Sequence, residues 1–323
     1  TEVQGTAVIR AGEADAGVQS PIHGCKAGIA LSADSNPRYA RIDPYMGAIN
    51  SVAEAMRNVA AVGATPITMT DCLNYGNPEK EESFYEFTQG VKGISAAATN
   101  LYVKGTKDPV PFISGNVSFY NESATGKSVD PSPVIGCLGN LDDVSKTITM
   151  KIKKENSKLF LVGERKDELG GSIYYDLNNE LGKNLPNIDF EKERNMIYAV
   201  IDAIDKKLLL SCHDISDGGL ITTLSEMILG GEADGKIGAN LNIDFSELQV
   251  SKILFSESSG FVMETEKPEE LNILFKKHNL DIIEVGITKG TSLNISSKDN
   301  EIINLSIEKM KQAWTTGLTN ALR

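Results

Sequence analysis

Apolar residues recur in this chain with two alternating periods. Residues 28–33 (GIALSA) make a short apolar run that predicts a strand, and 39–42 follow as a second short strand after the turn signal Asn36-Pro37. In 46–62 the positions Ile49, Val52, Met56, Val59 and Ala60 share one helical face, and Gly63 supplies the stop. Residues 66–71 (PITMTD) read as the next strand. Residues 82–99 read as a second helix, with Phe84, Phe87, Val91, Ile94 and Ala98 on one side. Two further strands are predicted at 110–119 and 133–138. The stretch 147–158 is basic and polar and reads as a hinge, after which 159–162 (LFLV) opens a new core. The second half then predicts a helix at 190–204, a strand at 208–212 and a helix at 219–229 carrying Leu220, Leu224, Met227 and Ile228. Strands at 238–243 and 260–264, a helix at 268–278 and strands at 282–287 and 293–295 complete the pattern. Both halves are mixed α/β, with no short-period repeat and no low-complexity tract.

Composition agrees with that division. A chain of 323 residues suggests two domains at about 150 residues each. Hydrophobic residues are 41% and charged residues 24%, which excludes disordered, collagen-like and coiled-coil classes. The net charge of −12 argues against general nucleic-acid binding, which needs clustered cations, while leaving room for a local phosphate pocket. Cys25, Cys72, Cys137 and Cys212 are too widely spaced for a zinc knuckle or redox motif and read as reduced thiols of a cytoplasmic protein. No apolar run approaches a membrane span, and the first residues do not form a signal peptide. The missing initial Met suggests a chain processed, trimmed or excised from something longer.

Candidate chemistry lies in four polar segments at predicted strand ends, where α/β proteins usually place ligands: 33–39, 70–80, 114–122 and 211–220. Each is also ordinary turn or cap chemistry when taken singly. Together they offer carboxylates for hard cations (Asp34, Asp71) and an amide oxygen (Asn116). Gly115 lets backbone approach a phosphate, and the helix start at Gly218-Gly219 has free N–H groups for an anion. Neither a Walker A loop nor a G-x-G-x-x-G fingerprint occurs. Of the three histidines, His278 reads as a surface residue and His23 has no partner segment. His213 and Asp214 are strand neighbours that point to opposite faces, so they are not read as a pair.

At these segments the chain closely resembles the phosphoribosylformylglycinamidine synthase family, the formylglycinamide ribonucleotide amidotransferases, and within it the second half. The resemblance runs from residue 28 to about 314. It is carried by DSNPRYARIDPYMGAINSVAEAMRNVAAVGATPITMTDCLNYGNPEK, SGNVSFYNES, PSPVIGCLG, SCHDISDGGL and LFSESSGFVMET. Aminoimidazole ribonucleotide synthetase and selenophosphate synthetase are more distant relatives of the same PurM-like architecture. The resemblance implies a PurM-like α/β (α+β) unit of two domains. Residues 1–155 would be the nucleotide- and Mg2+-binding A domain, whose sheet pairs with that of another unit into a barrel-like dimer or pseudo-dimer core. Residues 156–323 would be the B domain, an α/β sandwich. It further implies a share in the ATP-dependent amidation of formylglycinamide ribonucleotide with glutamine-derived ammonia, an activity of purine biosynthesis. ATP and Mg2+ are the implied cofactors. The implied partners are the first PurM-like half, a glutaminase and a small PurS-type subunit, with a homodimer expected when the half is isolated. Carried over by position, Asp71 and Gly115 correspond to ATP contacts, Asn116 to a Mg2+ ligand and Ser118 to a substrate contact. The family's catalytic histidine belongs to the first half, so no catalytic residue is expected here. The alternatives are a non-catalytic nucleotide-binding half and another PurM-like ATP-dependent enzyme. One departure stands out: 102–110 (YVKGTKDPV) looks like an insertion and should form a loop.

Overall fold

The computed structural model describes residues 5–244, 246–298 and 300–322; the outermost residues of the two expected domains, 1–4 and 323, lie outside the described residues. The first half contains β1 (Ala7–Ile9), β2 (Gly17–Gln19), β3 (Gly28–Asp34), α1 (Pro37–Ile42), α2 (Pro44–Ala61), β4 (Thr65–Asn74), α3 (Glu81–Asn100), β5 (Phe112–Ser118) and β6 (Ser132–Leu141). Its six strands lie in the order β1-β2-β3-β6-β4-β5, antiparallel except for the parallel pair β4–β5. Val52, Met56 and Val59 of α2 pack on Ala30, Ile135 and Cys137 of the sheet, with α3 beside α2. Contact is close at Gly139, where a Cβ would come within 2.3 Å of Val59 Cγ1.

The segment 39–42 is not a strand. Asn36 accepts from the backbone N–H groups of Arg38 and Tyr39, and Pro37 occupies the first helical turn, so the residues enter α1. The Asn-Pro pair that reads as a turn is a helix cap followed by the residue best suited to start a helix. Asp43 ends α1 and caps α2 in the same way, accepting from Tyr45 and Met46.

The second half contains β7 (Lys158–Val162), α4 (Ile173–Leu177), α5 (Phe190–Asp205), β8 (Ser211–Asp214), α6 (Gly219–Leu229), β9 (Ala239–Asn242), α7 (Val250–Phe255), β10 (Phe261–Thr265), α8 (Pro268–Lys277), β11 (Ile283–Thr288), β12 (Ser292–Ser297), β13 (Asn300–Ser306) and α9 (Ile307–Ala321). The sheet order is β13-β12-β9-β11-β7-β10-β8, with only β12–β9 parallel. The unbroken apolar run of β7 is explained by burial on both faces. Leu159 and Leu161 face the core made with α6, α7 and α9, while Phe160 and Val162 face α5 and α8. Helix α5 joins the halves: Ile197, Tyr198 and Ile201 enter the first core, and Met196, Val200 and Ile204 the second.

Three expectations are corrected here. The strand expected at 208–212 begins later, because Lys207 adopts a left-handed φ of 55° after α5 and Leu208 is still turning, its N–H bonded to Ala203 O. The basic stretch 147–158 is not a free hinge. Ile152 is buried and its N–H donates to Met227 O, while the N–H groups of Lys153 and Lys154 donate to the buried Glu264 carboxylate at 2.9 and 3.0 Å. His278 is not a bare surface residue, since its Nε2 lies 3.0 Å from Asp202. The inserted segment 102–110 is a loop lacking helix or strand, and it is fastened to α5. Tyr198 Oη donates to Leu101 O, Arg194 sits 4.3 Å from the centre of the Tyr102 ring, and Lys104 pairs with Asp202. Among the described residues no helix is long and apolar enough to cross a membrane.

Candidate functional site

Parallel pairing of β4 with β5 sets Asp71 beside Gly115, Cys72 beside Asn116 and Asn74 beside Ser118. The glycine is required by its neighbour: a Cβ at Gly115 would stand 2.5–2.7 Å from the Asp71 carboxylate. Burial raises the Asp71 pKa, and the backbone N–H of Asn116, bonded to that carboxylate, acts the other way. Strand alternation separates the remaining groups. Asp71 shares its face with buried Met69 and Leu73, whereas Asn116 lies with Cys72 on the open face, its Nδ2 3.6 Å from Cys72 Sγ. The edge strand thus brings Asp71, Gly115 and the Asn116 backbone together and places the Asn116 amide on the opposite side. Ser118 closes β5, its carbonyl accepting from Tyr75 N and Asn121 Nδ2.

A second polar set fills the space between the two sheets. Glu54, Arg57 and Asn58 lie one turn apart on α2, on the side facing the end of β3 and β8. Asn58 Nδ2 donates to Asp34 Oδ1 at 3.0 Å. Arg57 donates to Glu193 at 2.7 Å and reaches Asp214 at 3.4 Å. Burial pushes Asp34 up to about 6, Asp214 up to about 7 and Glu54 well above the usual carboxylate range. Burial alone would lower the pKa of Arg57, but Glu193, Asp214 and Glu54 outweigh it and raise it. The buried oxygens Asp34 Oδ2 and Asn58 Oδ1 have no hydrogen-bond partner. Oxygen acceptors without donors suit a hard cation, but the one group of carboxylate and histidine atoms close enough to share an ion among the described residues is Asp15, His213 and Asp214.

His213 does not fit that role, although it stands with Asp15 and Asp214 as a potential metal group. Its Nδ1 lies 2.6 Å from Asp15 and its Nε2 3.0 Å from Glu226. Burial disfavours the charged ring, but Asp15, whose side chain is 1% exposed, and then Glu226 hold the pKa well above its ordinary value. With a proton on each nitrogen the ring has no lone pair for a metal. Against the expectation that they point apart, His213 Nδ1 comes within 4.0 Å of Asp214 Oδ1, and Asp15 Oδ1 meets both His213 Nδ1 and the Asp214 N–H.

The helix start at Gly218-Gly219 is not open to an outside anion. Glu257 Oε1 accepts from Gly218 N and from Ile173 N, both at 2.8 Å, and Tyr39 Oη donates to Glu257 Oε2. Arg38 lies 3.5 Å from Asp217 and donates to Gly171 O. The chain's own carboxylate occupies the position that the sequence reading reserves for a ligand. A cavity of about 710 Å3 lies in the second half, lined by Arg165, Glu168, Glu193, Ser258 and Val285 and away from Asp71. Asp15, Glu54, Arg57 and Glu257 escape the sequence reading. The one available signal is the pair of charges, Glu54 and Arg57, inside the strongly apolar helix 46–62.

Two meshed layers with a polar seam, each built on a mixed sheet, define the class, and comparison with known proteins agrees. The chain belongs to the AIR synthase related protein family: residues 13–141 match its N-terminal domain and 154–295 its C-terminal domain. Within it, the chain is 49% identical over 327 residues to the phosphoribosylformylglycinamidine synthase subunit PurL of Methanothrix thermoacetophila, covering 100% of this chain and 42% of that protein. It is 39% identical over 297 residues to the same subunit of Caldanaerobacter subterraneus, covering 91% and 39%. The chain therefore spans about two fifths of the curated relatives it matches. Among solved structures it resembles T. maritima PurL complexed with FGAR (TM-score 0.74, 19% identity, 93% of this chain and 48% of that one). It also resembles T. maritima PurL complexed with ATP (TM-score 0.69, 18% identity, 88% and 44%). The HypE–HypF complex contains a chain of similar fold and similar length (TM-score 0.62, 14% identity, 90% and 92%). At these identities the structures establish a shared PurM-like fold.

Proposed function

We propose that this chain is the second of the two PurM-like units of a phosphoribosylformylglycinamidine synthase. The observation that carries the proposal is the 49% identity to a PurL subunit across the whole chain. Complexes of T. maritima PurL with ATP, ADP and FGAR support the same ligands here. In the reaction, the amide oxygen of formylglycinamide ribonucleotide takes the γ-phosphoryl group of ATP and ADP leaves. Ammonia then forms the new C–N bond and phosphate departs with the oxygen. Asp71 and the glycine beside it would bound the nucleotide, the Gly115 backbone approaching where no Cβ intrudes. Asn116, on the open face of this edge strand, would hold Mg2+, which would neutralise charge on phosphates that reach round the strand from the Asp71 side. The Ser118 hydroxyl would hold the substrate. The first unit supplies the catalytic histidine, and a glutaminase with a PurS-type subunit supplies ammonia, in keeping with the PurLQS assembly of T. maritima. These reagents are those of the cytoplasm.

The test is an assay with formylglycinamide ribonucleotide, ATP, Mg2+ and ammonium. The chain alone is expected to show no synthase turnover, and addition of the first unit to restore it. A rate of about 1 s⁻¹ or more from the chain alone would overturn the division of labour. Silence after addition would overturn the activity. In the assembled enzyme Asp71→Asn is expected to weaken nucleotide binding with little change in melting temperature. Unchanged titrations would leave Asp71 a turn former only, since Asn serves a turn as well as Asp.

A further inference from the structure

We infer that the cavity of the second half binds a small organic monocarboxylate, the carboxylate held by Arg165 and the apolar body by the cavity wall. A volume of about 710 Å3 is that of a small-molecule site. Three cationic side chains line it: Arg165, Lys166 and Lys192. Lys192 pairs with Glu164 at 2.9 Å and Lys166 with Glu168 at 3.9 Å, while Arg165 has no carboxylate partner among the described residues. Its Nη2 donates to Ser259 O at 2.7 Å and its Nη1 to Ser256 O at 3.4 Å, and Nε is buried without an acceptor. A guanidinium carries five N–H donors, so more than half of its capacity is unspent.

The carboxylate best placed to neutralise Arg165 is engaged elsewhere. Glu168 accepts from Ser258 Oγ at 2.5 Å and from Asn187 N at 3.3 Å. Burial lowers the Arg165 pKa to about 10; Glu168 opposes the fall and Arg57 adds to it. Arg57 shows the opposite outcome, because Glu193 and Asp214 are bonded to it and raise its pKa. Main chain fixes the position of Arg165. A Cβ at Gly163, where φ is 103°, would stand 2.3 Å from Ser259 O, and one at Gly260 would stand 3.0 Å from Arg165 Nη2. A cation held at a cavity wall without a counter-charge is a preorganised site for an oxyanion. The rest of the lining selects the ligand. Leu161, Leu220, Ile253 and Val285 are buried apolar wall, and Ile283 lines the same cavity while 60% exposed. Asp189, Asp244, Glu247 and Asp281 also line it and disfavour a phosphate dianion.

The experiment titrates benzoate into the full chain by calorimetry, with benzamide as the uncharged probe and inorganic phosphate as the probe without an apolar body. Benzoate is expected to saturate one site per chain, with both controls about tenfold weaker or worse. Arg165→Met should weaken benzoate by about the same factor. That variant also removes the donor to Ser256 O and Ser259 O, so a second pair of variants leaves those bonds alone. Ile283→Lys should tighten benzoate and Ile283→Glu weaken it, each about threefold, with the melting temperature unchanged. No saturable heat at millimolar benzoate would overturn the inference. Benzamide equal to benzoate would leave an apolar cavity only, and phosphate equal to benzoate a general anion contact; either overturns it. Equal affinities in the two Ile283 variants, or full affinity in Arg165→Met, would place benzoate elsewhere and overturn it too. Every readout is binding to the chain alone, so the outcome stands apart from the synthase assay.

Discussion

Glu257 accepts two backbone N–H groups at one oxygen and a phenol at the other, with no cation bonded to it. Burial raises its pKa from 4.5 to about 7, against the pull of Tyr39, Gly218 and Ile173. Between those two values the folded chain holds a proton that the unfolded chain has released. The stability this group contributes is therefore complete below about pH 4.5 and is lost as pH rises through about 7. Glu257→Gln keeps the shape: its Oε1 still accepts both N–H groups, and its NH2 donates to the Tyr39 oxygen. Denaturant unfolding should find it equal to the parent near pH 5 and more stable near pH 8. Glu257→Ala leaves two buried N–H groups without acceptors and should cost about 1–3 kcal/mol for each. A Gln variant less stable than the parent at pH 8 would show that the charged form is the one the site favours.

Helix α2 does two jobs with one sequence. Its apolar residues build the first core, and Arg57 stitches that layer to the second through Glu193 and Asp214. Arg57→Met removes the cation bonded to both carboxylates, leaving Glu193 without one among the described residues and Asp214 with only His213 at 4.0 Å, a change worth about 3–5 kcal/mol of destabilisation. Chemical unfolding at pH 7.5 should show this loss, and it should shrink toward pH 5.5 as Asp214 protonates; a loss below about 1 kcal/mol would mean water already reaches the seam. The same helix explains what could be read from sequence. Its period was plain over 46–62, as was that of α3, because each repeats its apolar face for several turns. Four residues at 39–42 cannot establish a period, so the cap at Asn36 carried the information and the strand reading was misled. The short β1, β2 and α4 were missed for the same reason, and the 15-residue α9 because it buries only Ile307 and Met310. Asp71, Gly115 and Asn116 stood out in compact polar blocks at strand ends, and Ser118 only through the family resemblance; the β4–β5 pairing that sets them side by side could not be read. The seam was not legible, since Asp15, Asp34, Arg57, Glu193 and Asp214 come from five separate stretches and meet only through packing.

At the scale of the molecule, the first sheet has helices on one face only. Along β3, Gly28, Ala30 and Ser32 turn toward α2, and the alternate Leu31 is 57% exposed. On the same side of neighbouring β6, Leu138, paired with Leu31, and Val134, paired with Cys72, are half-buried. An apolar face of several strands exceeds what monomers ordinarily leave in water, and Asn116 opens onto the same side. We therefore expect the isolated chain to form a homodimer through this face, in the place the first unit would take. A stable dimer needs roughly 1,200–2,000 Å2 of total buried surface, within reach of a sheet of this size. Each chain carries −12, so like-charge repulsion opposes association and salt should strengthen it. Light scattering at micromolar concentration should give twice the chain mass, Leu31→Asp should return it to the monomer, and added first unit should displace one copy. A clean monomer at all salt concentrations would remove this face as a self-association surface. A homodimer that persists in the presence of the first unit would place the contact somewhere other than the sheet.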